Sequence, residues 1–414
     1  MSFSLKARVV FPADCPPIEN GIVVIEGERI VAVGTKAVGG EVIDLGCVAL
    51  IPGLVNAHTH LEFSYLNWPL GKIGMPLVDW IRLIIAERGR GNLVPLENVN
   101  RGLVESHSHG VTTIGDITTG AATSGADVTH FHEVIGFSQA RAESALRVVV
   151  ERIKFQPPSH HLLHGISPHA PYTVSPKLIK LLVAHAQQRN LPVAMHLAES
   201  REELELLRHG TGPFRQLLEE RSMWDAEAIP RGSRPLKYLQ MLANAPRSLV
   251  IHGNYLDDEE LKFLASNRER MSLIYCPRTH AFFIHPTYPL SRAISAGVRV
   301  ALGTDSRASN LDLDLLAEMR FVMRTHPATD PQEVLRMGTL NGAEALGRAA
   351  DVGSITPGKL ANLVALPIPG DTVEIRNNML PTMLRANWTD VLTTILAATT
   401  KPSFIYLAGH PLNP

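Results

Sequence analysis

Cysteine is scarce in this 414-residue chain and follows no recognisable pattern. The three cysteines, Cys15, Cys47 and Cys276, are odd in number, widely spaced and form no CxxC pair. A disulfide framework is therefore not expected, and a zinc site built from thiolates has no support. Unpaired cysteines favour a reducing compartment, so we expect the protein in the cytoplasm.

An excess of charge of one sign is also absent. Lysine and arginine together number 39, aspartate and glutamate number 40, and the formal net charge is −1. Proteins that bind nucleic acids or membrane surfaces usually carry a basic excess, so we expect neither partner. The balanced charge favours a small-molecule substrate.

Long hydrophobic runs are missing as well. No stretch of about 18 uninterrupted apolar residues occurs, so no transmembrane helix is expected. The apolar run near the N-terminus is too short for a signal peptide and is followed by no small-residue cleavage site. The hydrophobic fraction of 45% and the length suit one large domain plus a smaller one, or two ordinary domains. The oligomeric state stays open, with a homodimer as one option.

Both ends of the chain show the pattern of β-strands. Near the N-terminus, β-branched runs interrupted by glycine occupy 21–34 and 41–53, and similar short runs lie near the C-terminus at 354–366 and 404–412. The simplest arrangement is one small β-sandwich domain made from residues 1–52 and 351–414.

The middle of the chain alternates short apolar runs with longer helical patterns such as 76–89, 175–188 and 312–324. The apolar runs lie at 53–58, 111–116, 131–135, 162–167, 192–196, 248–252, 271–275 and 298–304. Eight β-then-α units between residues 53 and 350 match a (β/α)8 barrel, an α/β fold of the TIM type. An open doubly wound sheet is the alternative, but no GxGxxG fingerprint follows the first run.

Ionisable side chains follow several of these runs. The first run ends in His58 and His60, the fifth in His196, the sixth in His252, and the eighth is followed by Asp305. In a barrel, the active site lies at the carboxyl ends of the strands. Such side chains are costly to bury unless they are paired or bind a metal, so their recurrence predicts a functional site.

His58 and His60 are two residues apart, so on a strand their side chains point to the same face and can reach one ion. Imidazole and carboxylate ligands suit zinc or ferrous iron. Taken alone, one HxH pair among 18 histidines is expected by chance. His196, His252 and Asp305 at matching strand ends favour a metal site over that alternative.

Six segments, in their order and spacing, resemble the amidohydrolase superfamily, in particular the branch of cytosine, guanine and S-adenosylhomocysteine deaminases and the triazine hydrolases. The segments are LIPGLVNAHTHLE, SPHAPYTVS, MHLAES, VIHGNYL, YCPRTHAFF and ALGTDSRASN. The resemblance covers nearly the whole chain, including the divided β domain. It implies a metal-dependent hydrolase.

The resemblance also implies a ligand set. In that branch a single metal is held by residues that match His58, His60, His196 and Asp305. Binuclear members carry a carboxylated lysine at the end of strand 4, where this chain has His169 instead. We therefore expect one divalent metal, zinc in the first place and iron as the alternative.

Glu199 completes an HxxE motif after strand 5, which the resemblance links to deaminases. A bound metal lowers the pKa of water, and a carboxylic acid can then protonate a ring nitrogen and help an amine to leave. Asp305 would accept the proton of the water, and His252 would orient it. The alternative makes Glu199 an acid in the first turn of a helix, stabilised by the helix dipole.

Four residues are predicted to contact substrate. The resemblance makes His169 such a contact, although capping or packing is its alternative. Glu62 either reaches the substrate or pairs with an arginine such as Arg82. Arg278 and His280 follow strand 7, where better-known deaminases have CPxSN-like sequences. This departure indicates that different residues surround the substrate at the edge of its pocket. Of the neighbouring residues, Ser309 and Asn310 are expected to support a loop, and Trp80 to pack in the core.

The combination of HTHLE, SPHAPY, CPRTHAFF and LGTDSRASN most resembles aminodeoxyfutalosine deaminases and their relatives. We therefore predict a deaminase that releases ammonia from an aminated heterocycle, an adenine-bearing nucleoside such as aminodeoxyfutalosine. A chlorohydrolase or cyclic amide hydrolase of the same superfamily is the alternative. A catalytically inactive binding protein on the same barrel would be favoured by loss of a ligand, but every expected ligand is present.

Overall fold

The computed structural model describes residues 2–36, 40–90, 95–120, 127–138, 142–154, 162–369 and 388–412. The chain forms two compact units. The first consists of Met1–Asn56, Val104–Thr113 and Asp314–Pro414, and the second of Ala57–Leu103 and Ile114–Leu313. The boundaries after residues 52 and 350 come from the strand pattern and stay a prediction.

The elements alternate along most of the chain. The strands are β1 (Ser2–Lys6), β2 (Val9–Val10), β3 (Ile18–Glu19), β4 (Ile22–Glu26), β5 (Arg29–Gly34), β6 (Glu41–Asp44), β7 (Val48–Pro52), β8 (Leu54–Thr59), β9 (Val111–Thr118), β10 (Asp127–Val134), β11 (Leu162–Pro168), β12 (Val193–Leu197), β13 (Ser248–His252), β14 (Met271–Tyr275), β15 (Val300–Leu302), β16 (Leu363–Pro367), β17 (Phe404–Leu407) and β18 (His410–Leu412). The helices are α1 (Leu77–Gly89), α2 (Pro95–Ser108), α3 (Ala142–Lys154), α4 (Pro176–Arg189), α5 (Arg201–His209), α6 (Pro213–Glu220), α7 (Pro235–Leu242), α8 (Asp258–Ser266), α9 (Pro277–Phe282), α10 (Leu290–Ser295), α11 (Leu315–Thr325), α12 (Pro331–Met337), α13 (Leu340–Leu346) and α14 (Trp388–Ala397), and a 3₁₀ turn covers Leu61–Phe63.

The ends of the chain build two sheets. One has the strand order β5-β4-β1-β6, and the other has the order β18-β17-β16-β7-β2-β3. The second sheet joins the two termini, because β16 pairs antiparallel with β7 on one side and with β17 on the other. Apolar side chains of both sheets form one core, among them Leu5, Val23, Leu50, Leu363 and Tyr406. The predicted β-sandwich from both termini is confirmed, although strand structure begins only at residue 363 of the predicted run 354–366.

Between these ends the described residues form an eight-stranded sheet that follows chain order from β8 to β15. An isolated parallel bridge between Thr59 and Asp305 joins its two edges, and the backbone N–H of Asp305 donates to the carbonyl oxygen of His58 at 3.1 Å. The sequential order and this closure identify a TIM-like barrel and exclude the doubly wound alternative. Almost every strand residue is buried, which explains why the strands read as continuous apolar runs.

The helices predicted from the sequence form close to their expected bounds. Helix α4 begins after Ser175, whose side chain accepts a hydrogen bond from the backbone N–H of Leu178, and it ends at Asn190 in the left-handed conformation. Helix α11 begins after Asp314, whose side chain accepts from the N–H of Ala317. Within the described ranges, no helix combines the length and the apolar character needed to cross a membrane.

Candidate active site

The first and last barrel strands bring three predicted metal ligands together. His58 lies on β8 and His60 directly follows it, while Asp305 follows β15. The Nε2 atoms of His58 and His60 lie 3.5 Å and 3.8 Å from Oδ1 of Asp305. All three side chains are buried, so the strand ends form one small polar cluster in an apolar barrel.

Strands β12 and β13 contribute the other two histidines. His196 lies on β12, and His252 is the last residue of β13. One potential ligand atom from each of His58, His196 and His252 lies within 4.8 Å of the others, and the same holds for His58, His60 and Asp305. The four predicted ligands and His252 therefore converge on one place.

The chemistry of this cluster fits a divalent metal. Burial lowers the pKa of His60, His196 and His252, which favours the neutral imidazole that binds metals. Nδ1 of His196 lies 3.0 Å from the backbone carbonyl oxygen of His169, and because that oxygen can only accept, Nδ1 carries the proton. Nε2 of His196 is then the atom that would bind a metal.

Asp305 is held in its ionised form and in one orientation. Burial alone would raise the pKa of its carboxyl, but the hydrogen bond from His58 and the electrostatic interactions with His58, His252 and His60 hold that pKa well below its usual range. The Oγ atom of Ser309 donates to Oδ2 of Asp305 at 3.0 Å, and Oγ1 of Thr279 lies 3.1 Å from Oγ of Ser309. Ser309, expected only to support a loop, thus orients a predicted metal ligand.

The backbone bends sharply where these side chains enter the site. Ala198, His252 and Asp305 have φ values of 54°, 68° and 55°, in the left-handed region that residues other than glycine rarely adopt. Each such residue costs of order 1 kcal/mol or more and persists only where its surroundings enforce it. Their position at strand ends around one cluster is typical of a functional site.

Glu199 lies between β12 and α5, outside the helix. The alternative interpretation placed Glu199 in the first turn of a helix, but Ser200 is the N-cap of α5 and Glu199 precedes it. Its Oε1 atom lies 3.4 Å from Nε2 of His252. Burial, and then the charges of Asp305 and Glu203, raise the pKa of Glu199 well above the ordinary value. The carboxyl group therefore keeps its proton to a higher pH than an ordinary glutamate does.

Glu203 supports this segment from within helix α5. Its fully buried carboxyl group accepts hydrogen bonds from the backbone N–H groups of Ala198 at 2.8 Å and Glu199 at 3.0 Å. Burial outweighs these hydrogen bonds and raises the pKa of Glu203 to about 7. No distinct signal marks this residue in the sequence, because it stands in an acidic stretch typical of an exposed helix.

A cavity of about 340 Å³ opens over the cluster. His60, His196, Glu199, His252 and Asp305 form part of its wall. The rest is largely apolar and aromatic and includes Phe63, Leu77, Trp80, Ile81, Ile84, Tyr172, Phe214, Leu217 and Leu218. Trp80, expected in the core, lines the cavity, and its Nε1 donates to the carbonyl oxygen of Ala308 at 3.1 Å. The volume and lining suit a small molecule with a flat ring system.

Of the four predicted substrate contacts, His169 lines this cavity. Burial lowers the pKa of its imidazole to about 3, and Nδ1 lies 2.7 Å from Oγ1 of Thr173. Glu62 is not among the described residues that line the cavity, but it accepts a hydrogen bond from Nη2 of Arg88, which is. The arginine proposed for that pair, Arg82, instead contacts other carboxylates.

Arg278 and His280 are not among the described residues that line the cavity. Nη2 of Arg278 donates to Oδ1 of Asp312 at 2.6 Å. The ring of His280 is buried against those of Tyr275 and Tyr288, with centroid distances of 5.9 Å and 5.5 Å. Both side chains thus contact other residues of the protein. Their contact with a substrate stays a prediction.

The sequence interpretation missed Arg88 and Glu133, which both line the cavity. Nη1 of Arg88 lies 3.3 Å from Oε2 of Glu133. Glu133 stands near the end of β10, so the rule that identified His252 would also have found it. Arg88 lies on α1 in an ordinary helical pattern, and nothing in the sequence distinguishes it from an exposed arginine.

Comparison with known proteins agrees with this geometry. The profile of the Amidohydrolase family matches residues 49–393. A 5-methylthioadenosine/S-adenosylhomocysteine deaminase of Pyrococcus furiosus is 31% identical over 381 residues, which cover 84% of this chain and 81% of the relative.

Two solved structures have the same fold. The Helicobacter pylori aminofutalosine deaminase superposes with a TM-score of 0.82 at 22% identity, over 100% of both chains. An atrazine chlorohydrolase of Arthrobacter aurescens TC1, complexed with zinc, gives a TM-score of 0.77 at 19% identity, over 99% of this chain and 95% of that one. With the family profile spanning most of its length and the relative above 30% identity, the chain belongs to the amidohydrolase family.

Proposed function

We propose that this protein is a metal-dependent deaminase that releases ammonia from the adenine ring of a nucleoside. The observation that carries the proposal is the buried carboxyl group of Glu199 beside His252, at the wall of a cavity that also contains the histidine and aspartate cluster. A buried acid with a raised pKa can donate a proton while water attacks. A deaminase needs one to protonate a ring nitrogen.

The ligands of the metal are His58, His60, His196 and Asp305. Zinc is the proposed metal, since its preferred ligands are of these types, and the similar chlorohydrolase structure contains zinc. When bound, such a metal lowers the pKa of a water molecule so that water can attack at neutral pH. A single ion is expected, because His169 occupies the position of the lysine that binuclear relatives carboxylate.

The proton transfers are assigned to three side chains. Asp305, held ionised, accepts the proton of the attacking water, and the neutral imidazole of His252 orients that water. Glu199 gives its proton to the ring nitrogen, which makes the neighbouring carbon more electrophilic. The ionised Glu199 then takes up the proton of the new hydroxyl group, and the proton held by Asp305 passes to the amine, so that ammonia leaves and both carboxyl groups regain their starting states.

The substrate is proposed to be an adenine nucleoside with a modified ribose. The curated relative reported above is named for 5-methylthioadenosine and S-adenosylhomocysteine, and the structurally similar Helicobacter enzyme for aminofutalosine. The flat, apolar walls formed by Trp80 and Phe63 suit a purine ring. His169, which separates the cluster from Glu133, is placed to contact the substrate.

Ammonia release from a panel of compounds tests the proposal. The zinc-loaded protein is assayed with 5′-methylthioadenosine, S-adenosylhomocysteine, 5′-deoxyadenosine, aminodeoxyfutalosine, adenosine and guanosine, and with atrazine and a cyclic amide. We expect ammonia from at least one adenine nucleoside. Chloride release from atrazine or ring opening of the amide, with no ammonia from any nucleoside, would overturn the deaminase assignment in favour of the alternative hydrolases.

A further inference from the structure

One carboxylate oxygen of Glu133 is buried beside the cavity and accepts no hydrogen bond from any described residue. Glu133 lies near the end of β10, and its side chain is 3% exposed. Its Oε1 atom makes no hydrogen bond to any described residue, although the residue lines the cavity. A carboxylate only accepts hydrogen bonds, and leaving one buried and unpaired costs free energy. A hydrogen-bond donor on a bound ligand would satisfy this oxygen.

Arg88 fixes the orientation of this carboxylate. Its Nη1 atom lies 3.3 Å from Oε2 of Glu133, so the arginine engages that oxygen and not Oε1. Its Nη2 atom donates to Glu62, which also accepts from Oγ1 of Thr119. Although burial opposes the charge of Arg88, the carboxylates of Glu133 and Glu62 raise the pKa of its guanidinium. Glu133 is thus held in place before any ligand arrives.

The side chain of His169 lies between Glu133 and the metal cluster. Its Oε1 atom lies 3.8 Å from Nε2 of His169, and the ring of His169 lies 5.1 Å from that of His196, centroid to centroid. If a heterocycle placed for attack at the cluster carries its ring substituent past His169, that substituent reaches Glu133. In a nucleoside, that substituent is the sugar, whose hydroxyl groups are hydrogen-bond donors.

We propose that Glu133 is a specificity-determining residue that accepts a hydrogen bond from a hydroxyl group of the substrate's sugar. This inference rests on the proposed function, because it takes the substrate to be a nucleoside. The two carboxylates around Arg88 leave a net negative charge at this wall, which favours a neutral donor over an anionic group such as a phosphate. A site built to bind a hydroxyl group discriminates strongly against substrates that lack it.

The test combines changes in the enzyme with changes in the substrate. The kcat/KM for ammonia release is measured with adenosine, 2′-deoxyadenosine and 3′-deoxyadenosine for the wild type, Glu133→Ala and Glu133→Gln. The wild type should disfavour one of the deoxynucleosides about tenfold or more. Glu133→Ala should lose this preference by slowing adenosine alone, while Glu133→Gln, which keeps an acceptor oxygen, should retain part of it.

The matched control is Glu87→Gln, which alters a buried carboxylate of α1 that contacts Tyr65 and Arg90 and is not among the described residues lining the cavity. It should leave the ratio between the substrates unchanged. A ratio in Glu133→Ala equal to that of the wild type would overturn the inference, because a purely structural loss slows all three substrates alike.

Failure of the proposed function would give a different result. If the wild type releases no ammonia from any nucleoside, the deaminase assignment fails. Calorimetric affinities for the same three nucleosides then decide the role of Glu133. An affinity preference for adenosine that Glu133→Ala removes would support it, and equal affinities in both proteins would refute it.

Discussion

Ser309 donates a hydrogen bond from Oγ to Oδ2 of Asp305 across 3.0 Å. The other carboxylate oxygen, Oδ1, is the one that faces His58 and His60. The serine therefore decides which oxygen is available to a metal and how the carboxylate is turned. Residues that hold metal ligands in this way tune both metal affinity and reactivity.

Replacing Ser309 by alanine should weaken metal binding or activity about ten- to hundredfold, because Asp305 loses the group that orients it. The change removes one oxygen from a buried site and adds no bulk. Zinc affinity is measured by competition with a chelator, and kcat on the best substrate of the panel.

The control for that change is Ser248→Ala, which removes a buried hydroxyl group that donates to the carbonyl oxygen of Leu242. It should leave the zinc affinity unaltered. Equal effects of the two changes would show that Ser309 contributes only to folding.

Glu199→Gln should retain the metal and lose about 10²–10⁴-fold in kcat, because it removes a proton donor without removing a ligand. Metal content is measured by elemental analysis, and kcat from the rate of ammonia release. A wild-type rate in this variant would exclude Glu199 as the proton shuttle. Loss of the metal would instead indicate that Glu199 is needed to hold the cluster together.

Glu203→Gln should change how stability depends on pH. Burial raises the pKa of Glu203 to about 7 in the folded protein, above the ordinary glutamate value of 4.5. Its stabilising contribution is therefore complete below about pH 4.5 and is lost as the pH rises towards 7. The free energy of unfolding of the wild type, relative to the variant, should fall over this range by up to about 1.4 kcal/mol per pH unit.

Urea denaturation of both proteins at pH 5, 6, 7 and 8 measures this difference. The difference should level off above pH 7, where Glu203 is ionised in both states. A difference that is constant from pH 5 to 8 would contradict the raised pKa.

The fold was largely predictable because each barrel strand is buried on both faces and is therefore a continuous apolar run. The five metal-cluster residues were predictable for a related reason, since a polar side chain at the end of such a run stands out. Glu133 follows the same rule and was overlooked. Arg88 and Glu203 could not be found, because each lies in a helix where charged residues are normal and only the tertiary structure buries them.

The supporting partners were harder to predict than the cluster. Glu62 was expected to reach the substrate or to pair with Arg82, five residues from the start of α1. The structure pairs it with Arg88, about two helical turns further along. Which of two arginines on one helix faces a given carboxylate depends on how the helix is rotated against the barrel, and local sequence does not determine that rotation.

The isolated bridge between Thr59 and Asp305 forms the seam at which the first and last strands of the barrel meet, and the metal cluster lies at this seam. His58 and His60 stand on one side of this seam and Asp305 on the other. An ion bound by all three would cross-link the first and last strands and so hold the barrel closed. Amide hydrogen exchange at Asp305 should therefore accelerate when the metal is chelated. The amide of Phe131, in the β10–β11 pairing that contributes no predicted ligand, should exchange at an unchanged rate.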